Sequence, residues 1–237
     1  MELRSPMTAV LFDMDGTLVE TEELWGEAMS ALAARLGGTF SAEGREQTVG
    51  TSMPVAMTIL HADLGLERTE QQREADARWV EEETAALMVA RGIPWRTGAR
   101  ELLAAVRAAG LATALVTTTP RRVAALVLDR ITAELGSSPF DVTVCGDEVP
   151  ARKPDPAPYR QAMTALAVEP ADCVVIEDSL VGVTAGLAAG AVVVGVPSLQ
   201  PLYPLAGLVL RTSLADVTVT ALEQLLDGAV VAAGRPG

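Results

Sequence analysis

Two acids stand two residues apart, Asp13 and Asp15, in the run Val10-Leu11-Phe12-Asp13-Met14-Asp15-Gly16-Thr17, where an apolar stretch meets a glycine-marked turn. Carboxylates this close repel each other unless one is protonated or a cation lies between them. A divalent ion with oxygen ligands resolves that conflict, and magnesium suits a site that also holds phosphate. In isolation the same pattern is equally a solvated turn, since Asp-Gly is an ordinary turn signal. A calcium loop is disfavoured because no third ligand follows at EF-hand spacing.

Three further segments supply what a phosphate site would still lack. In Val116-Thr117-Thr118-Thr119-Pro120, hydroxyls and free amides at a helix start can hold phosphate oxygens. Thr119 is expected to be the N-cap and Pro120 the first helical residue; the plain alternative is helix capping and nothing more. Lys153, in Arg152-Lys153-Pro154-Asp155-Pro156, is the sole lysine of the chain. Its compact ammonium could offset the charge of a nucleophile and a phosphate, or it could be a loop residue in solvent. Glu177 and Asp178 follow the run Val174-Val175-Ile176 and are candidate metal ligands, although Asp178 or Ser179 could also cap the next helix. Carboxylates, hydroxyls, a lysine and carboxylates again thus recur at four successive strand ends, an order that separate capping and loop roles do not explain.

The elements that must position these groups follow from periodicity. Strand character marks Ala9 to Phe12, Ala112 to Thr117, Val142 to Cys145, Cys173 to Ile176 and Val192 to Val196. The runs lack alternation, which predicts strands buried on both faces. Helical patterns closed by glycine lie between most of them, as in Ala99 to Ala109 and Leu180 to Ala189, so a parallel sheet with right-handed crossovers is expected. The interval between the first two strands is too long for one crossover. It reads as helices over Glu22 to Leu36, Ala42 to Thr48, Pro54 to Leu64 and Glu70 to Ala90, with hinges near Leu18 to Thr21 and Gly92 to Thr97. The predicted organisation is an α/β core, residues 1–20 and 93–237, carrying an inserted all-helical cap, residues 21–92.

Composition narrows the partners. Of 237 residues, 49% are hydrophobic and 21% charged, ample for a core. A net charge of -13 argues against nucleic acid or an anionic membrane surface, because no basic patch is present to displace counterions. Any anionic substrate must therefore be drawn by local groups. Cys145 and Cys173 fall in no paired motif, and Met1 to Ala9 is not a signal peptide, so a reducing cytoplasm is expected. The uncharged stretch Leu180 to Leu199 has four glycines and reads as a buried helix and strand rather than a membrane span. His61, the sole histidine, has no clustered partner in sequence and is expected to be structural or exposed.

These motifs resemble those of the haloacid dehalogenase superfamily, most of whose members transfer phosphoryl groups. DMDGT at Asp13 to Thr17 is similar to its first motif, Thr117 to its second, Lys153 to its third and Glu177-Asp178 to its fourth, so the resemblance spans nearly the whole chain. It implies a Rossmann-like core. Asp13 would form an aspartyl-phosphate and Asp15 would act as acid and then base. Mg2+ would be held by Asp13, the Asp15 backbone carbonyl and Asp178, with Glu177 ligating it or orienting its waters, while Thr117, Thr118 and Lys153 would bind the transferring group. An acid at Asp15 argues against dehalogenation, and a cap without lysine against phosphonoacetaldehyde hydrolysis. β-Phosphoglucomutase carries a cap histidine where this chain has Trp25 and a cap arginine where it has Met53. The implied reading is a phosphatase of a small phosphorylated metabolite, such as a sugar phosphate, acting as a monomer or weak dimer. Its alternatives are a phosphosugar mutase and a noncatalytic metabolite sensor. Glu20, Trp25, Thr51 and Ser52 are the expected specificity residues of the cap; Trp25 could instead be cap core, and Gly50-Thr51-Ser52 a helix-entry turn.

Overall fold

The computed structural model describes residues 7–233. Six parallel strands, β1 (Ala9–Phe12), β2 (Ala112–Val116), β3 (Val142–Val144), β4 (Cys173–Glu177), β5 (Val192–Gly195) and β6 (Leu208–Leu210), form one sheet in the order β3-β2-β1-β4-β5-β6. The predicted strands all lie within a residue or two of these bounds. β6 went unpredicted: it is three residues long, half-buried and at the sheet edge, so neither its length nor its pattern separates it from a loop.

β1 occupies the centre because its four residues are apolar and need cover on both faces. Val10 and Phe12 face one core layer with Leu115, Val174 and Ile176; Ala9 and Leu11 face the other with Val116, Val175 and Tyr159. The strand order reverses between β1 and β4, and in open parallel sheets ligands bind beyond the carboxyl ends at such a point. Asp13, Glu177 and Asp178 stand at those two ends.

Four helices, α1 (Glu22–Arg35), α2 (Ala42–Thr48), α3 (Met53–Asp63) and α4 (Glu70–Arg91), fill the interval between β1 and α5 (Ala99–Ala108). Local chemistry defines them. Ser41 accepts from Gly44 N to start α2, and Thr69 with Gln72 forms a reciprocal capping box at α4. The chain leaves and re-enters the α/β layer through two linkers that pair with each other. Glu20 N donates to Pro94 O at 2.9 Å, Arg96 N to Leu18 O at 2.8 Å, and Val19 bridges Trp95. The remaining helices, α6 (Arg121–Leu135), α7 (Ala157–Leu166), α8 (Leu180–Ala189) and α9 (Val219–Ala233), flank the sheet. Among the described residues no helix is long and apolar enough to cross a membrane.

Two local expectations need correction. Pro120, not Thr119, takes the N-cap position of α6, with extended backbone, and the helix begins at Arg121. Thr119 spends its hydroxyl elsewhere, as described below. His61 is not without a partner: it is buried against Asp76, 2.9 Å from Nε2 to Oδ2, and Arg68 clamps the same carboxylate with Nε and a terminal nitrogen, each at 2.9 Å. Asp76 lies fifteen residues downstream, on the next helix, so the pairing is invisible to local spacing.

His61 Nδ1 is buried with no partner. Burial lowers the imidazole's pKa, and the attraction of Asp76 does not overcome it. A group whose folded pKa is depressed takes up protons more readily when unfolded, so its contribution to stability is complete above the unfolded value, about 6.5, and is lost as pH falls below it. His61→Gln is therefore expected to flatten the decline in melting temperature between about pH 7 and 5.5. Parallel wild-type and variant curves over that range would refute the assignment.

Candidate active site

The site is built from four sheet ends and one face of the cap. Asp13 follows β1, and its N–H donates to Ile176 O at 3.1 Å, locking it beside β4. Gly16, at φ +77°, carries the turn: a Cβ there would meet Asp178 Oδ2 at 2.2 Å, so only glycine lets the two acidic loops approach this closely. Thr17 donates its hydroxyl to Asp178 Oδ1 at 3.1 Å.

Lys153 is the positive centre of this cluster and is buried, not a solvated loop residue. Its Nζ donates to Asp13 Oδ1 at 2.7 Å, Glu177 Oε1 at 2.6 Å and Val116 O at 2.9 Å. Burial opposes the ammonium charge, but the carboxylates of Asp13 and Glu177 outweigh it and raise its pKa, so Lys153 remains a cation. Glu177 is fully buried, and its other oxygen faces the Asp178 and Ser179 amides and the Ser179 hydroxyl at 3.2–3.5 Å.

Asp15 lies between core and cap. Its Oδ1 accepts from the Thr21 hydroxyl at 2.5 Å and from the Trp25 indole N–H at 3.1 Å. Its Oδ2 accepts from Thr119 at 2.7 Å and, at longer range, from Thr117 at 3.4 Å. Thr119 thus serves Asp15 instead of capping α6. Thr117 in turn accepts from the Thr119 amide at 3.0 Å.

Asp15 also lines a cavity whose walls include Thr118, Thr119, Glu22, Trp25, Thr51 and Met53. A deeper recess is bounded by Asp13, Lys153, Asp178, Thr118 and Ser179 on the core side and by Glu22 and Gly50 from the cap. The cap loop sits close, for a Cβ on Gly50 would meet Ser179 Cβ at 2.5 Å.

Of the residues expected from sequence, Asp13, Asp15, Thr117, Thr118, Lys153, Glu177 and Asp178 are brought together. Trp25 is packed in the apolar core, as its structural reading expects, and it also lines the cavity and donates to Asp15. Thr51 reaches the cavity; Ser52, buried at the N-terminus of α3, is not among its lining residues. Glu20 is not brought to the site. It stays on the linker, where Arg96 takes its carboxylate at 3.0 Å.

Glu22 was missed, because an acid in the first turn of a helix is already explained by the helix dipole. It lines both the upper cavity and the recess. Burial, then the charges of Asp15, Asp13 and Glu177, push its pKa well above the carboxylate range. Thr21 and Thr119 were also missed as Asp15 donors; the run of three threonines from Thr117 was the available signal.

The acids themselves test whether a metal fits. Asp13, Glu177 and Asp178 each offer an oxygen within 4.8 Å of the others. Desolvation, then the neighbouring Glu177 charge, pushes Asp13 up to about 7 despite Lys153; desolvation, then Asp13 and Glu177, raises Asp178 well above its usual range. One lysine leaves negative charge unbalanced, and a hard divalent cation with oxygen ligands suits such a donor set.

A parallel α/β sheet with acids at its switch point and a helical cover over them defines the architectural class. Residues 7–190 match the haloacid dehalogenase-like hydrolase family, and the chain belongs to it. It is 34% identical over 188 residues to a phosphorylated carbohydrates phosphatase of Thermotoga maritima, covering 78% of this chain and 82% of that protein. To hexitol phosphatase B of Escherichia coli it is 31% identical over 223 residues, 92% of this chain and 93% of the relative. The crystal structure of CbbY from Rhodobacter sphaeroides in complex with xylulose-1,5-bisphosphate superposes with a TM-score of 0.80 at 30% identity, covering 92% of this chain and 99% of that one.

Raised folded-state pKa values carry a sign. The stability they allow is complete below the ordinary aspartate value, about 3.9, and is lost as pH rises through about 7. Magnesium, by relieving that penalty, is expected to raise the melting temperature more at about pH 8 than at about pH 5.5, and Asp178→Asn to remove most of the gain. Equal shifts at both pH values would contradict this account.

Proposed function

We propose that this chain is a magnesium-dependent phosphatase of phosphorylated sugars or related polyols, with Asp13 as nucleophile and Asp15 as acid and base. The observation that carries the reading is the pairing of Asp13 with a buried ammonium at 2.7 Å while Asp15, two residues on, is held in place by donors from both core and cap.

Phosphoryl transfer depends on positioning and charge stabilisation more than on elaborate covalent chemistry. An Asp13 oxygen bonds to phosphorus as the bond from phosphorus to the leaving oxygen breaks, and Asp15 gives that oxygen a proton. Water then attacks the aspartyl-phosphate, Asp15 takes its proton, and Asp13 is released with inorganic phosphate. Lys153 and the Thr117 and Thr118 segment hold the transferring oxygens. Asp13, Asp178 and the Asp15 backbone carbonyl, with Glu177 beside them, would hold magnesium, which supplies charge neutralisation at the phosphoryl group. A sensor would need no acid held by four donors next to a nucleophile. Met53, in place of a cap arginine, does not favour a mutase.

Glu22 supports a polyol substrate. A carboxyl group facing the reacting centre can hydrogen-bond the hydroxyls of a polyol, accepting from them and, while protonated, donating to them. The phosphorylated-carbohydrate and hexitol phosphatases among the relatives are consistent with that chemistry.

Phosphate release from p-nitrophenyl phosphate and a panel of sugar and hexitol phosphates tests the reading. Turnover should require magnesium and vanish in Asp13→Asn; turnover that survives chelation or that substitution would sink it. Glu22→Ala should raise KM for hexitol phosphates by about tenfold, the scale of one or two lost hydrogen bonds, while p-nitrophenyl phosphate, which has no hydroxyls, changes far less.

A further inference from the structure

Tyr159 has no part in the roles assigned above, yet its side chain is completely buried and touches the centre of the site. It projects from α7, which follows the Lys153 loop. Its hydroxyl donates to Glu177 Oε1 at 2.6 Å, the same oxygen that accepts from Lys153 at 2.6 Å. The Lys153 ammonium also stands 4.9 Å from the centre of the Tyr159 ring, in cation–π range.

An ammonium has three protons, and Asp13, Val116 and Glu177 take all three. On the phosphatase reading above, Lys153 can turn a proton to the transferring phosphoryl oxygen as charge develops on it only if one acceptor yields. Releasing Glu177 would leave Oε1 of a fully buried carboxylate without a donor, a costly state unless another group supplies one. The phenol is that donor. The carboxylate's own position is enforced, since the α8 backbone at Gly182 packs against it so closely that an added Cβ would come within 1.8 Å of Glu177 Oε1.

We propose that Tyr159 is a positioning residue for Lys153: its hydroxyl keeps the buried Glu177 carboxylate satisfied and its ring face seats the ammonium, so that Lys153 can turn a proton toward the transferring phosphoryl oxygen. The ring alone cannot do this. The benefit arises as charge is redistributed during transfer, so the hydroxyl acts on turnover more than on substrate binding.

Tyr159→Phe removes one oxygen and keeps the ring. It should lower kcat by about tenfold, the kinetic equivalent of one hydrogen bond to a charged group, with KM changed by no more than about twofold. In the magnesium and beryllium fluoride complex, whose fluorines stand in for phosphoryl oxygens, the fluorine resonance nearest Lys153 should move. With Glu177 already changed to Gln, adding Tyr159→Phe should have little further effect, because the buried charge it serves is gone. Unchanged kcat, unchanged fluorine resonances or equal losses in both backgrounds would each overturn the proposal. So would loss of the folded near-ultraviolet spectrum in Tyr159→Phe, since the hydroxyl would then be serving stability. A wild type with no magnesium-dependent turnover would sink the phosphatase reading itself; an active wild type matched by Tyr159→Phe would sink only the role of the phenol.

Discussion

Three buried carboxylates share one sheet edge with a single ammonium, and the rest of the molecule is arranged around that imbalance. Asp13 and Glu177 are held by Lys153 at 2.7 and 2.6 Å, and Asp178 lies next to both. Like charges so close, screened from water, are unfavourable on their own. The fold tolerates them because the sheet provides rigid ends: β1 and the apolar run Cys173 to Ile176 of β4 are neighbours in register, with Phe12 opposite Ile176, so Asp13 and Glu177, the next residues on each, are forced into proximity. Glycines then set the spacing. Gly16 admits Asp178, and Gly182 admits Glu177.

The cap meets this centre through polar contacts that are few and specific. Thr21 and Trp25 bind one oxygen of Asp15 while Thr119, from the core, binds the other. Asp15 is therefore part of the seam between cap and core. A change in the seating of α1 would be felt at Asp15 before it was felt at Asp13, whose partners all come from the sheet side.

Much of this was legible in the chain. The strands announced themselves as short apolar runs, and the acids, hydroxyls and lysine fell at their ends because that is where a parallel sheet exposes its termini. What escaped was whatever depends on distant pairing. His61 and Asp76 meet only because α4 packs against α3. Thr119 looked like a cap because capping is local, whereas its true acceptor lies 104 residues away. Glu22 looked like an ordinary first-turn acid, and Glu20, two residues earlier, looked just as suited to the cavity. The start of α1 separates them: Glu22 is on the first turn facing the recess, and Glu20 remains on the linker with Arg96.

The paired linkers constrain how the helical layer can travel. Two chain segments stitched by backbone bonds between Glu20 and Pro94 and between Leu18 and Arg96 behave as a ribbon, and Arg96 further ties that ribbon to Pro197 O at 3.0 Å. A single tether would leave rotation about three axes, whereas a ribbon flexes across its width and resists shear along it. A cover moving on such a ribbon would travel along one arc, returning Trp25 and Glu22 to the same register over the carboxylates with little orientational freedom left to lose.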